Sequence, residues 1–268
     1  MLVRPETIVG ITLVLLLAMI QPATCDLIII KQTKEGQETS PQVFRILVVE
    51  ANHYKSGQFL INALLGFSNW DNSSTDYVSY IHLLHTPIYG QEEVMDVCKP
   101  YWRGNSTKAN VEYEIKHFLA SAGPNETVIF YFFGHGSIAT VLLLPWDDGI
   151  YPDDLTSWLS YGGLPQANVC VILDSCVSGL WNNDGEEPGG ILGPGRVVLC
   201  SCRSNESSYW SPTNLWGFFT GNGLGYGYGT PKEPGIIGGL IGGANDTNQN
   251  GWFDAMEVFE YAKTSIQE

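Results

Sequence analysis

A histidine and a cysteine stand immediately after two strongly apolar stretches of the 268-residue chain. The stretch VIFYFF is followed by GHG, which contains His135, and the stretch VCVIL is followed by DSC, which contains Cys176. Short apolar runs bounded by glycine or polar residues predict fully buried strands. If the two strands are parallel neighbours, their carboxyl ends bring both side chains to one edge of a sheet, where α/β folds place their ligands.

A thiol next to an imidazole has the chemistry of a cysteine nucleophile. A free thiol has a pKa of roughly 8.5, so little thiolate exists at neutral pH without a neighbouring base. Cys176 is therefore the predicted nucleophile, and His135 is the predicted acid–base group. The backbone N–H groups of Gly136 and Cys176 are the predicted donors to an oxyanion, because glycine lets a substrate approach closely. Without the histidine motif, a buried core cysteine would be the simpler interpretation of Cys176.

The two motifs together resemble those of the caspase-like cysteine peptidases, most closely the metacaspase-type and prokaryotic members. The segment LLLPWDDGIYPDDLTSWLS at 142–160 resembles the family's connection between its two catalytic strands. The segment at 107–128 resembles the helix that precedes the histidine strand, and Thr107 is predicted to cap this helix. The resemblance extends over 44–262. It implies a caspase-like three-layer α/β sandwich, with a mostly parallel sheet and helices on both faces. It also implies a cysteine endopeptidase in which Cys176 and His135 have the roles given above.

The substrate preference is predicted from Asp174, two residues before the nucleophile. In metacaspase-type relatives the matching aspartate lines the pocket for a basic side chain, so the resemblance implies cleavage after Arg or Lys. A carboxylate binds such side chains through charge-assisted hydrogen bonds. The alternative is a structural aspartate that binds N–H groups at the strand end. The family's second acidic pocket residue has no clear counterpart here, and Asp71 is the nearest candidate.

Two further functions stay open on the sequence alone. Asparagine-specific cleavage, as in legumain-like enzymes, is the alternative specificity. A catalytically inactive caspase-like domain that serves as a calcium-dependent binding or scaffold module is the alternative from another functional class.

A second motif, DTNQNGWFDAME at 246–257, matches the twelve-residue calcium loop of an EF-hand. Oxygen-bearing side chains stand at alternate positions and Gly251 occupies the sharp turn, as a hard cation requires. The predicted ligands are the side chains of Asp246, Asn248, Asn250, Asp254 and Glu257 and the carbonyl group of Trp252. An Asx-rich turn before a helix is the alternative interpretation. Calcium is the predicted cofactor, either structural or activating, and no organic cofactor is predicted.

The first 25 residues have the composition of a secretory signal peptide. Arg4 is followed by an apolar run at 8–20 and a small-residue cleavage site before Asp26. This pattern predicts a secreted or extracytoplasmic protein, or one anchored through its N-terminal segment, with no other stable membrane span. Residues 26–42 are predicted to form an arm and residues 43–268 one peptidase domain. That domain contains a linker loop at 182–195 and a glycine-rich loop at 221–235.

The composition narrows the choice of partners. A formal net charge of −15 argues against nucleic acid, and peptide or protein substrates are the predicted partners. Loss of Cys25 with the signal peptide would leave five of the six cysteines, an odd number that suits one free reactive thiol. The sequence does not predict the oligomeric state.

Overall fold

The computed structural model describes thirteen stretches of the chain. They are residues 29–31, 42–51, 77–87, 95–96, 98–124, 126–139, 141–145, 148–182, 191–193, 195–208, 235–239, 243–249 and 252–265. The predicted signal peptide, most of the arm at 26–42, Asp71 and Asn250 lie outside these residues. So do most of the linker loop at 182–195 and all of the glycine-rich loop at 221–235 except Gly235, which begins a short helix.

The described residues form eleven strands and four α-helices. The strands are β1 Ile29–Lys31, β2 Gln42–Glu50, β3 Tyr77–His85, β4 Trp102–Gly104, β5 Thr127–Phe133, β6 His135–Ser137, β7 Val141–Leu143, β8 Gly149–Ile150, β9 Asn168–Asp174, β10 Arg196–Cys200 and β11 Trp252–Asp254. The helices are α1 Lys108–His117, α2 Pro152–Trp158, α3 Gly235–Gly238 and α4 Ala255–Ser265. Short 3-10 turns follow at Leu119–Ser121, Leu164–Gln166 and Ser178–Asn182.

Six strands form the central sheet, in the order β10-β9-β5-β2-β3-β4, and every neighbouring pair is parallel. Strands rich in valine, isoleucine, leucine and phenylalanine suit a parallel sheet, because both of its faces are buried. The predicted adjacency of the histidine strand β5 and the cysteine strand β9 is confirmed, and β10 lies on the other side of β9.

Both faces of this sheet are covered. One face, which includes Val49, Phe130 and Val171, packs against α1 and α2 in a single apolar core. The alternate residues of the same strands, such as Val48 and Tyr131, are also buried. The predicted fold class, a mostly parallel sheet in a three-layer α/β sandwich, is therefore confirmed.

The beginning of α1 is fixed by two side chains from outside the helix. The Thr107 hydroxyl accepts a hydrogen bond from the N–H of Asn110 (3.3 Å), the N-cap contact that the sequence predicts. The Asp148 carboxylate accepts another from the N–H of Lys108 (3.2 Å). Asp148 precedes β8, which pairs with β7, and β7 pairs with β6, the strand that begins at His135. The histidine thus starts a small antiparallel sheet directly beyond the end of β5.

A buried arginine anchors the beginning of β10. The guanidinium group of Arg196 donates to the carbonyl oxygens of Ile191 (2.8 Å) and Leu159 (3.1 Å). Only 8% of Arg196 is exposed, and burial lowers the pKa of its guanidinium group. The amino end of β10 is therefore tied both to the end of the linker loop and to the segment after α2.

The chain also forms a two-stranded ribbon from distant segments. Strand β1, from the predicted N-terminal arm, pairs antiparallel with β11, with Ile30 opposite Phe253. Within the described residues, no helix is both long and apolar enough to cross a lipid bilayer.

Candidate active site

The register of β5 and β9 places His135 and Cys176 at equivalent positions. Phe133, the last residue of β5, is paired with Asp174, the last residue of β9. The predicted base and the predicted nucleophile each follow two residues later. Neighbouring strands lie about 4.8 Å apart, and the N–H of Gly134 extends the pairing by donating to the Asp174 carbonyl oxygen (3.2 Å). The two predicted catalytic residues are therefore brought together at one edge of the sheet.

Gly136 lies directly against the backbone of Cys176. A Cβ atom at this position would lie 2.0 Å from the carbonyl oxygen of Cys176 and 3.0 Å from the hydroxyl oxygen of Ser175. We call residues 175–178, which include the predicted nucleophile, the nucleophile turn. No side chain fits at position 136 unless the backbone of this turn moves. The glycine that sequence reasoning selected for its N–H group is thus also required for the close approach of the two loops.

The turn after Cys176 has an uncommon backbone conformation. Val177 has a φ of 52°, in the left-handed region that a β-branched residue rarely adopts. Its N–H donates to the carbonyl oxygen of Glu206 (2.8 Å). At Gly179, an added Cβ atom would lie 2.6 Å from the backbone nitrogen of Ser204. Such strain persists only where surrounding contacts hold it, and here the holding segment is 201–208.

We call residues 201–208 the clasp segment, because they contact the residues before, within and after the turn that carries Cys176. The N–H of Ser201 donates to the carbonyl oxygen of Leu173 (3.0 Å). At the other end, the Ser208 hydroxyl donates to Oδ1 of Asp174 (2.8 Å), and the Cys176 thiol lies 3.9 Å from the Ser208 carbonyl oxygen. Sequence reasoning missed this segment, since a short polar stretch after a strand carries no signal for such contacts.

Two buried carboxyl groups lie in one row of the sheet. Glu50, Phe133 and Asp174 are aligned across β2, β5 and β9, and aligned residues of parallel strands project to the same face. Glu50 is 3% exposed and Asp174 is 2% exposed. Burial raises the pKa of Glu50 well above its ordinary value, and the charge of Asp174 raises it further. Sequence reasoning missed Glu50, because a glutamate at the end of an apolar strand resembles a strand terminator.

The remaining cysteines differ from Cys176 in their surroundings. Burial raises the pKa of Cys170 to about 12. Burial also raises the pKa of Cys98 to about 11, with a contribution from the charge of Glu50. Such thiols carry almost no thiolate and are poor nucleophiles. Cys176 is half-buried at the sheet edge, and the described cysteines, Cys98, Cys170, Cys176, Cys200 and Cys202, are free thiols.

The predicted calcium loop contains a helix cap. Asp254 precedes α4 and accepts from the N–H of Glu257 (2.9 Å), while Glu257 accepts from the N–H of Asp254 (3.0 Å). This reciprocal pair is a capping box. The other Glu257 oxygen accepts from the N–H (2.6 Å) and hydroxyl (2.8 Å) of Thr247 and from the N–H of Asn248 (3.3 Å). Both oxygens of the last predicted ligand are thus already engaged by hydrogen-bond donors.

Of the other predicted side-chain ligands, Asp246, Asn248 and Asp254 are described by the structure, while Asn250 lies outside the described residues. Burial raises the pKa of Asp254, and the charges of Glu257 and Asp246 contribute to the shift. The side-chain amide of Asn248 donates to Asp254 (3.0 Å). Among the residues that the structure describes, no group of three or more His, Cys, Asp or Glu side chains is arranged to hold a metal ion. In the described conformation, Asp254 and Glu257 cap the beginning of α4, and calcium binding at this loop stays a prediction.

Comparisons with known proteins show a likeness to solved structures. No family model matches the chain, and no curated protein matches it. Among solved structures, it is similar to caspase-1 from Spodoptera frugiperda, with 10% sequence identity and a TM-score of 0.41. The match covers 71% of this chain and 73% of that one. A likeness at this level does not indicate an activity, so the functional argument depends on the site itself.

Proposed function

We propose that the chain is a caspase-like cysteine endopeptidase of metacaspase type that cleaves after arginine or lysine. One observation carries the proposal. The register of β5 and β9 sets His135 and Cys176 at equivalent positions at the carboxyl edge of the sheet, and Gly136 lies against the Cys176 carbonyl group. A base next to a nucleophile, with backbone N–H groups beside them, is the arrangement that acyl transfer requires.

Each group has a defined part in the proposed reaction. The Cys176 thiolate attacks the carbonyl carbon of the scissile peptide bond, and the N–H groups of Gly136 and Cys176 stabilise the resulting oxyanion. His135 protonates the departing amine, which leaves a thioester on Cys176. His135 then takes a proton from water, and the water hydrolyses the thioester.

The buried carboxyl row supports the proposed preference for basic side chains. Asp174 lies two residues before the nucleophile, and Glu50 lies in the same row with its charge coupled to that of Asp174. A guanidinium or ammonium group next to this pair would form charge-assisted hydrogen bonds. The bond from Ser208 holds one oxygen of Asp174 in place. Glu50 thus provides the second acidic group that the sequence alone does not supply.

We also propose that the chain is exported and that the loop at 246–257 binds calcium. The signal-like composition of 1–25 supports export to a secreted or extracytoplasmic location. The mutual repulsion of Asp246, Asp254 and Glu257 supports a calcium ion at the loop, because a bound cation would relieve it. Such an ion would require Glu257 to release N–H donors, and no step of the proposed reaction passes through it.

The test is hydrolysis of fluorogenic peptides that end in Arg, Lys, Asn or Asp, measured with calcium and with chelator. We expect cleavage after Arg and Lys, lost in Cys176→Ala and retained in the matched variant Cys200→Ala. Cys200 is a half-buried cysteine that ends the neighbouring strand β10. Cleavage after Asn would replace the basic preference with the legumain-like alternative. Equal cleavage by wild type and Cys176→Ala would refute the nucleophile.

A thiol-reactive probe distinguishes a latent enzyme from a scaffold if no peptide is cleaved. An activated Cys176 should label much faster than Cys98 and Cys170, whose pKa values are raised by burial. Equal, slow labelling of Cys176 and the buried cysteines would favour the scaffold interpretation.

A further inference from the structure

A second thiol lies against the backbone of the nucleophile turn. The sulfur of Cys202, in the clasp segment, is 3.3 Å from the carbonyl oxygen of Ser175 and 3.5 Å from the hydroxyl oxygen of Ser178. These two residues flank the pair Cys176–Val177. The N–H of Cys202 also donates to the Ser178 hydroxyl (3.3 Å). The Cys202 thiol is therefore held beside the short turn that carries the nucleophile.

Each of the two thiols also contacts a backbone carbonyl group of the clasp segment. Cys202 contacts the Glu206 carbonyl oxygen (3.3 Å), which also accepts from the N–H of Val177 (2.8 Å). The Cys176 thiol contacts the carbonyl oxygen of Ser208, two residues farther along. Both sulfurs are half-buried rather than enclosed in the core.

We propose that Cys202 is a resolving cysteine, which forms a disulfide with Cys176 when a peroxide oxidises the nucleophile. The inference rests on the proposed function only in taking Cys176 as the reactive thiol. It assigns a reversible modification site next to the dyad. A resolving thiol placed in this way prevents the irreversible oxidation to which an exposed nucleophilic cysteine is subject.

The chemistry balances with hydrogen peroxide as the oxidant. The Cys176 thiolate attacks one peroxide oxygen, the O–O bond breaks, and hydroxide leaves, so that Cys176 becomes a sulfenic acid. The Cys202 thiol then attacks the Cys176 sulfur, the S–O bond breaks, and the oxygen leaves as water with the thiol proton. Two thiols and one hydrogen peroxide thus give one disulfide and two waters.

Geometry favours Cys202 over the other described cysteines. Cys170 and Cys98 are buried. Cys200 is the closest competitor, but its thiol contacts the carbonyl oxygen of Ser178 (3.1 Å) and its side chain packs against the apolar core. Cys202 instead contacts the peptide group that joins Ser175 to the nucleophile. Cys200 therefore serves as the matched control.

The test treats the reduced full-length chain with a few equivalents of hydrogen peroxide, because oxidation of one thiol to sulfinic acid consumes two. The peptides are then mapped by mass spectrometry without reductant. We expect a linked peptide that contains Cys176 and Cys202, with the loss of two hydrogen atoms. Peptidase activity should fall at least about tenfold and return with dithiothreitol. Cys202→Ser should yield no link and should instead accumulate Cys176 sulfinic acid, which dithiothreitol does not reverse. Cys200→Ser should behave as the wild type.

Three results would overturn the inference. They are a link between Cys176 and Cys200, a link between two chains through Cys176, and oxidation of the wild type to sulfinic acid without any linked peptide. Thermal melting of Cys202→Ser and Cys202→Ala checks that the variants fold. Peptide mapping detects the disulfide even in a chain that cleaves no peptide. Failure of the proposed function would therefore appear as absent peptide hydrolysis, and failure of the inference as an absent link between Cys176 and Cys202.

Discussion

Two regions of the molecule carry short motifs, the carboxyl ends of β5 and β9 and the loop at 246–257. We call the first region, which carries His135 and Cys176, the nucleophile edge. The polar groups of the two regions have different partners. At the nucleophile edge, backbone contacts hold the turn, while His135 is exposed and Cys176 is half-buried. In the loop, the Glu257 carboxylate already accepts four hydrogen bonds, from Thr247, Asn248 and Asp254.

The difference shows what a motif requires before it becomes a site. A reacting group must be positioned by its surroundings and remain accessible, which the register and glycines of the nucleophile edge provide. A ligand motif supplies the correct atoms, but those atoms also satisfy the N–H groups at a helix N-terminus. The comparison can be tested by removing the feature on which each region depends.

The largest effect is expected from Gly136→Ala. The added methyl group would lie 2.0 Å from the Cys176 carbonyl oxygen, so the nucleophile turn must move. Because small displacements of reacting groups are costly, we expect kcat/KM for peptide cleavage to fall at least about 100-fold. Gly123→Ala is the matched control, since its methyl group would meet only the Glu126 side chain, at 3.9 Å. Equal activity of the two variants would mean that backbone proximity does not position the nucleophile.

Glu257→Gln should sharpen the other side of the comparison. The amide cannot replace both carboxylate oxygens as acceptors, so the free energy of unfolding should fall by about 1–3 kcal/mol in urea titrations. Glu260→Gln on the same helix, where the exposed side chain pairs with Lys263, should change it by less than about 0.5 kcal/mol.

The same variant separates a helix cap from a calcium site. If the loop binds calcium, the melting temperature of the wild type rises with added calcium, and Glu257→Gln loses that rise. If Glu257 serves only as a cap, calcium leaves the melting temperature of both proteins unchanged. The second result would preserve the contrast between the two regions, and the first would remove it.

A smaller effect is expected from Glu50→Gln, as a change in how the free energy of unfolding depends on pH. The folded-state pKa of Glu50 is raised by burial and by Asp174, with His85 on β3 and Cys98 as the other described titratable neighbours. Its contribution to stability is therefore fully present below its unfolded-state pKa and is lost as pH rises through the folded-state value. We expect the free energy of unfolding of the wild type to decline relative to Glu50→Gln over that range.

Asp154→Asn is the control of opposite sign. Partial burial alone would raise the pKa of Asp154, but Lys108 and the N–H of Tyr151 lower it overall. Its contribution is present above the unfolded-state pKa and is lost as pH falls through the folded-state value. Chemical denaturation across pH measures both variants. A flat difference for Glu50→Gln would show that Glu50 is already charged in the folded chain.

The strands β5 and β9, and the positions of His135 and Cys176 just beyond them, could be predicted because their signals are local. The runs VIFYFF and VCVIL leave little alternative to buried strands, and both are followed at once by chemically reactive residues. Thr107 was predictable as an N-cap for the same reason, since its hydroxyl acts within one turn of α1. Such contacts depend only on neighbouring residues.

Glu50 and the clasp segment could not be predicted, because their contacts depend on tertiary register. The charge of Asp174 raises the pKa of Glu50 only because the register of β2, β5 and β9 places the two carboxyl groups in one row. The bond between Ser208 and Asp174 joins residues 34 positions apart. The loop at 246–257 shows the reverse case, in which a correct pattern of oxygen atoms does not reveal which donors reach them first.

The burial of Arg196 affects how fast an active molecule would be cleaved by other copies of itself at the bond after this residue. Between Asn182 and Arg196 the linker has no other lysine or arginine. The bond after Arg196 enters β10, where Val197 is buried and paired with Cys170. An enzyme that cuts after basic residues could sever this bond only in molecules whose β10 has opened. The rate of self-destruction at this bond would then follow the opening of that strand rather than the turnover number.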